Sequence, residues 1–265
     1  MPCPSATLTV WTSAWLAGAA APDDVLDALE PWAQAHDVLA ADPQTAAATD
    51  LPAPGAPASS VTFLLAALRR TAPRGHARFV LPAPGDIRGL PGPGPFSREA
   101  TAAGEGALFV DAGLGVVPTP VADGVLRWTV YPVSQTTPPT EFVALSYAEY
   151  ELREQVRQSA SILTSLGVAR HRPGVREEIA AALRARPRSL WPAGMPGRAL
   201  RVLQHADEVA AILAAAAMDE PGGALSASAA AARREALRPI ETAVRVARRA
   251  AVAEAVRVLA SGPMV

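Results

Sequence analysis

The sequence predicts an α+β fold: N-terminal helices with a small, mostly antiparallel sheet, followed by an all-helical C-terminal region. Three observations carry that prediction. Short runs of β-branched and aromatic residues lie between 76 and 133, and two of them flank Asp123-Gly124, a dipeptide suited to a tight hairpin. Apolar residues recur at helical spacing on both sides of this stretch. The Pro138-Pro139 pair marks a boundary beyond which every segment reads helical. The expected organisation is therefore a mixed region over 1–140 and an Ala/Arg-rich helical region over 141–265.

The elements follow in order. Leu8, Trp11 and Trp15 form a helical stripe within Ser5–Gly18, which is favoured over the short strand that Leu8 and Val10, with Thr9 between them, would also suit. Pro22-Asp23-Asp24 opens a second helix, expected to reach about His36, with Pro in the first turn and carboxylates where the helix dipole favours them. Asp42–Ala58, rich in Ala, Pro and Thr, reads as a loop. Ser59 or Ser60 is expected to cap a helix from Val61 to Arg70, closed by two cations. Strands are expected at Phe79-Val80-Leu81 and Ala107–Asp111, with a short helix capped by Ser97 before the second. Gly115–Val121 and Val125–Val133 form the hairpin arms. Pro118 and Pro120 lack ladder donors, which predicts an edge position for the first arm.

In the helical region, Ser146-Tyr147-Ala148-Glu149 reads as a capping box, with Leu145 and Tyr150 as the hydrophobic staple. That helix is expected to stop at Gly167. Further helices are expected over Gly174–Arg186 and Arg198–Met218. A last one starts near Ser226 and is broken or kinked at Pro239. Tyr147, Tyr150 and Trp191 read as core or boundary residues.

Charge is segregated along the chain. Seven acids precede Arg69, the first basic residue, and 24 arginines then face the remaining 18 acids. A formal net charge of −1 thus conceals an N-terminal −7 and a remainder of +6. The expected consequence is docking of oppositely charged surfaces, within the molecule or toward a partner. The chain contains no Lys and no Asn. That bias fits a GC-rich bacterial genome and makes arginine abundance a poor functional signal.

Cys3 is the single cysteine, so no internal disulfide forms, in keeping with a reducing cytoplasm. The longest apolar alanine stretch, Val209–Met218, is far short of the roughly 20 residues a spanning helix needs. Leu8–Ala21 lacks the basic residue that precedes an export signal. A cytoplasmic location without membrane contact is expected.

No catalytic constellation emerges. His36, His76, His171 and His205 are scattered, so no metal site is expected. Gly92-x-Gly94 is interleaved with prolines that remove the amide donors a phosphate loop needs, so no nucleotide cofactor is expected either. The adjacent acid pairs fall on helices, where solubility and dipole effects account for them. One weak constellation remains: Asp86, Arg88, Arg98 and Glu99 around the Pro/Gly-rich loop 82–95. An arginine on a rigid loop there would clamp a carboxylate or phosphate, and the competing reading is a set of local surface ion pairs. The arginines of 170–201 and 233–257 raise nucleic-acid binding as a third reading, disfavoured by the near-neutral charge and sparse aromatics. The sequence favours a non-enzymatic protein acting through another protein or a second copy, by way of its C-terminal helices. An anionic-ligand binder or enzyme at the loop is the alternative.

Overall fold

The computed structural model of the chain describes residues 3–134, 142–165, 174–184, 191–218 and 227–261. They fall into two compact units. Residues 3–134, 191–196 and 252–261 form a sheet unit, and residues 142–165, 174–184, 197–218 and 227–251 form a helical unit. The α+β class is as the sequence predicts.

In the sheet unit, helices α1 (Pro4–Leu16), α2 (Pro22–Leu29), α3 (Pro43–Thr49), α4 (Val61–Thr71) and α5 (Pro95–Ala103) surround five strands. These are β1 (Ala35–Ala40), β2 (Arg78–Val80), β3 (Gly106–Phe109), β4 (Leu114–Ala122) and β5 (Val125–Pro132), in sheet order β1-β5-β4-β3-β2. Only the β1–β5 pairing is parallel. Strand alternation separates two cores. Val38, Val116, Trp128 and Val130 face one way and pack with Leu8, Val25, Leu29, Leu64 and Leu68 of the helices. Val80, Leu108 and Val117 face the other way, against Phe96 and Ala100 of α5. The Phe96 ring lies so close to β4 that a Cβ on Gly115 would come within 2.3 Å of it.

Several expectations are corrected. The second helix stops at Leu29 because Pro31 enters a 3-10 turn, Glu30–Trp32, and His36 belongs to β1. Asp42–Ala58 is not all loop. Asp42 accepts from the Thr45 amide at 2.7 Å and Pro43 takes the first helical position, which nucleates α3. Arg70 then donates to the Thr49 carbonyl at 2.8 Å and pairs with Asp50 at 3.0 Å, closing the far end of α3. Ser60 precedes α4 without a side-chain cap bond, while the backbone of Ser59 bridges to Val38. Ser97 lies inside α5, whose N-terminal cap is Gly94.

The hairpin forms at Asp123-Gly124, but only Gly124 has positive φ and the pairing shifts between Pro120 and Ala122. The strand bearing Pro118 and Pro120 is not an edge strand throughout. Leu114–Val116 pairs on both sides, with β3 and β5, whereas beyond Val116 only β5 accompanies it. The prolines sit on that one-sided half, where a missing ladder donor is tolerated.

Helix α1 departs from its expected polarity. Leu8 is fully buried, but Trp11 and Trp15 lie at the rim while Ser5, Thr7, Thr9, Thr12 and Ser13 are buried. Their polar groups are used in part across the fold. The buried Glu105 carboxylate accepts from the Ser5 amide at 2.9 Å, Ser13 Oγ accepts from the Ala77 amide at 3.0 Å, and Thr7 Oγ1 accepts from Trp32 Nε1 at 3.1 Å.

The helical unit contains α6 (Leu145–Ser165), α7 (Val175–Arg184), α8 (Gly197–Met218) and residues 227–251 of α9 (Ala227–Ala260). Helix α9 is continuous through Pro239 and not broken there. Helix α6 begins at Leu145, with the Ala148 amide donating to the Ala144 carbonyl, so Ser146 lies in the first turn and not at the cap. Glu149 turns to Arg153 and Arg198. The expected stop at Gly167 and the helix start at Ser226 lie outside the described residues. No helix among the described residues is long and apolar enough to cross a membrane.

Candidate functional site

The Pro/Gly-rich loop 82–95 is built from tight turns. Ala83 and Asp86 exchange both backbone hydrogen bonds, at 2.9 and 2.8 Å, around Pro84-Gly85. Gly85 has φ +82, the value that the third position of a type II turn requires after proline. A second turn joins the Leu90 amide to the Ile87 carbonyl at 3.1 Å, again with glycine (Gly89, φ +88) at its third position. Leu90 packs against the α5 core, and Ser97 Oγ donates to the Gly92 carbonyl. The loop is thereby pinned at both ends, leaving Ile87 exposed at its tip.

On this frame the four candidate residues form two local pairs. Arg88 grips Asp86 with two hydrogen bonds, Nε to Oδ1 and Nη2 to Oδ2, each 2.8 Å. Arg98 reaches its neighbour Glu99 at 3.1 Å. Arg88 is therefore oriented by a carboxylate of its own loop, and an incoming anion has to displace it. Sequence reasoning missed Tyr131 beside this region. Its ring packs on Phe96 with centroids 6.5 Å apart. Burial, then the Glu99 carboxylate, pushes its hydroxyl above the ordinary tyrosine range. Tyr131 shares the α5 face of the sheet with Arg127 and Thr129, and Arg127 pairs with Asp37 at 3.3 Å. Nothing local in the sequence marks this grouping, which arises from strand register.

A second cluster lies on the opposite face. Trp128, fully buried, donates Nε1–H to His36 Nδ1 at 3.0 Å, and His36 Nε2 lies 2.9 Å from the Leu29 carbonyl. The partners are 92 residues apart. Burial holds the imidazole below the ordinary histidine range, and the Leu29 bond opposes that shift.

The third candidate surface belongs to the helical unit. Phe142, Tyr147 and Tyr150 are 78%, 59% and 60% exposed. The two tyrosines stand three residues apart on α6 and so share one face, contrary to the expected core or boundary role. Ala148 and Leu152, by contrast, are buried. Glu149 bridges Arg153 and Arg198 (2.8 Å to Arg198), and its hydrogen bond with Arg198 is the main cause of a carboxyl pKa below the usual range.

Several of the charges segregated in sequence have ion-pair or hydrogen-bond partners. In the sheet unit Asp24 accepts from the Ala21 amide, Asp42 caps α3, and Asp37 and Asp50 pair with Arg127 and Arg70. In the helical unit Arg157 pairs with Glu154, Arg238 with Glu235, and the buried Arg248 with Asp207.

Two family models match the chain, the N-terminal domain of Rv1486c-like proteins over residues 5–142 and the C-terminal domain over residues 146–249. An uncharacterized protein, Rv1486c of Mycobacterium tuberculosis, is 38% identical over 94% of this chain and 96% of its own length. Uncharacterized proteins of Mycobacterium leprae and Mycobacterium avium are 34% and 32% identical over the same shares. No solved structure matches the chain.

Proposed function

Taking as premise that this chain belongs to the Rv1486c-like family, we propose that it works through contacts with another protein or a second copy of itself, made by the helical unit. The observation that carries this reading is the exposure of Tyr147 and Tyr150 on a helix whose neighbouring residues Ala148 and Leu152 are buried. Tyrosine side chains offer large contact area with few rotatable bonds and recur as interface anchors. Phe142, just before α6, adds a third exposed aromatic. The anionic-ligand reading draws less support, because Arg88 is already held by Asp86. The nucleic-acid reading loses part of its charge to the pairs of Arg153, Arg157, Arg198 and Arg238 with acids.

The test is the double substitution Tyr147→Ser with Tyr150→Ser in the full chain. Exposed positions of this kind change folding stability by less than about 0.5 kcal/mol, so the unfolding midpoint is expected to hold. Self-association in sedimentation analysis, or co-elution with a partner, is expected to be lost. A variant that assembles as the parent does overturns the proposal.

A further inference from the structure

We propose that His36 is a pH-sensitive latch: in its neutral Nε2–H form it ties the end of α2 and the start of β1 to the buried Trp128, and protonation releases that tie. An indole nitrogen donates and never accepts, so His36 Nδ1, 3.0 Å away, has to present its lone pair. The Leu29 carbonyl accepts and never donates, so Nε2, 2.9 Å away, has to carry the hydrogen. One tautomer of the neutral ring satisfies both partners. The imidazolium places an N–H against the Trp128 N–H and puts a charge beside a core tryptophan.

The surrounding charges offer the imidazolium little compensation. Glu30, next to Leu29, is exposed, as are Asp27 on α2 and Asp123 in the β4–β5 turn. Asp37 and Arg127 pair with each other on the opposite face of β1 and β5. From α4, which packs on β1, Arg69 lies over the Trp15 ring and Arg70 pairs with Asp50. Thr7, from α1, is engaged by Trp32.

The direction of the pH effect follows. Burial lowers the folded-state pKa below that of the unfolded chain. The unfolded state then binds the extra proton first, so the latch stabilises fully above about pH 6.5, the ordinary histidine value, and fades as pH falls toward the folded pKa. One linked proton changes the folding equilibrium by up to about tenfold per pH unit within that window.

The experiment compares denaturant unfolding of the full chain and of His36→Gln between pH 8 and pH 5. Glutamine can accept from Trp128 and donate to Leu29 without titrating. The other three histidines and all carboxylates are common to both proteins, so the difference in slope isolates His36. The expected result is a smaller loss of stability in acid for the variant. Equal slopes overturn the proposal. Nitrogen-15 NMR of the histidine rings in the unaltered protein gives an independent reading should the variant not fold. The expected spectrum has an unprotonated Nδ1 at neutral pH and proton uptake below the ordinary histidine value of about 6.5; a protonated Nδ1 at neutral pH, or uptake at or above that value, overturns the proposal.

Discussion

The sheet unit and the helical unit solve the same burial problem with different side chains. In the sheet unit the aromatics Trp128, Phe96, Phe79 and Phe109 are buried, and hydrogen bonds join positions as distant as Ser5 and Glu105 or His36 and Trp128. In the helical unit the described aromatics, Phe142, Tyr147 and Tyr150, are all exposed, and the buried positions are mostly alanine, among them Ala199, Ala206, Ala243, Ala247 and Ala251. Large interlocking residues define one geometry. Alanine faces let helices approach closely but specify register less sharply, so charge pairs such as Arg248–Asp207 and Arg198–Glu149 take over part of that task. The contrast also explains why the proposed interaction surface lies on the helical unit. Its described aromatic side chains face solvent, while alanine, leucine and valine fill its own buried positions.

Gly115→Ala attacks the interlocked unit most directly and carries the largest expected effect. The new methyl would meet the Phe96 ring at 2.3 Å, and α5 would have to lift from the sheet. A loss of about 3 kcal/mol in denaturant unfolding is expected. Adding Phe96→Leu should return part of it, and a strictly additive pair would contradict this packing account.

Next in size are two leucine truncations that compare the units on equal terms, since Leu64 and Leu152 are both fully buried. Leu64→Ala leaves a hole between large neighbours that collapse poorly, and about 3 kcal/mol is expected. Leu152→Ala lies on a helix anchored by few buried side chains, which can settle into the space, so about 2 kcal/mol is expected. The reverse order would mean that the helical unit is the more rigidly packed of the two.

How much of this was legible beforehand divides along the same line. Helices in the C-terminal half were readable from periodicity and Pro/Gly punctuation, as were β2, β3, the Asp123-Gly124 hairpin and α4, because each signal is local. β1 escaped because Ala35–Ala40 has little strand character of its own; pairing with β5 and cover from α3 and α4 override propensity there. Helix α3 is hidden by the Ala-, Pro- and Thr-rich composition of Asp42–Ala58, although Asp42-Pro43 is an N-cap followed by a first-turn proline. Of the candidate site, the loop and its four charged residues were visible, and so was the local-pair alternative that the Asp86–Arg88 geometry resembles. Tyr131 against Phe96, between β5 and α5, and His36 against Trp128, between β1 and β5, depend on contacts between elements distant in sequence that no single window contains.

The smallest effects separate a geometric use of charge from a Coulombic one. Asp42 holds α3 by accepting from the Thr45 amide at 2.7 Å and from its hydroxyl at 2.9 Å, and those bonds keep its carboxyl below the usual range. Asp42→Ala is expected to cost about 1 kcal/mol, with little dependence on salt, because a cap is a directed hydrogen bond. Glu149 bridges two partly exposed arginines, so Glu149→Gln is expected to cost about 0.5 kcal/mol and to lose even that at high salt. Both carboxyl pKa values are lowered on folding. Each contribution is therefore complete above the unfolded carboxyl value near 4 and is lost as pH falls through the lower folded value. Unfolding at low and high salt, at neutral pH and then in acid, distinguishes the two. If Asp42→Ala proved as salt-sensitive as Glu149→Gln, the cap would be acting as a charge and not as a hydrogen bond.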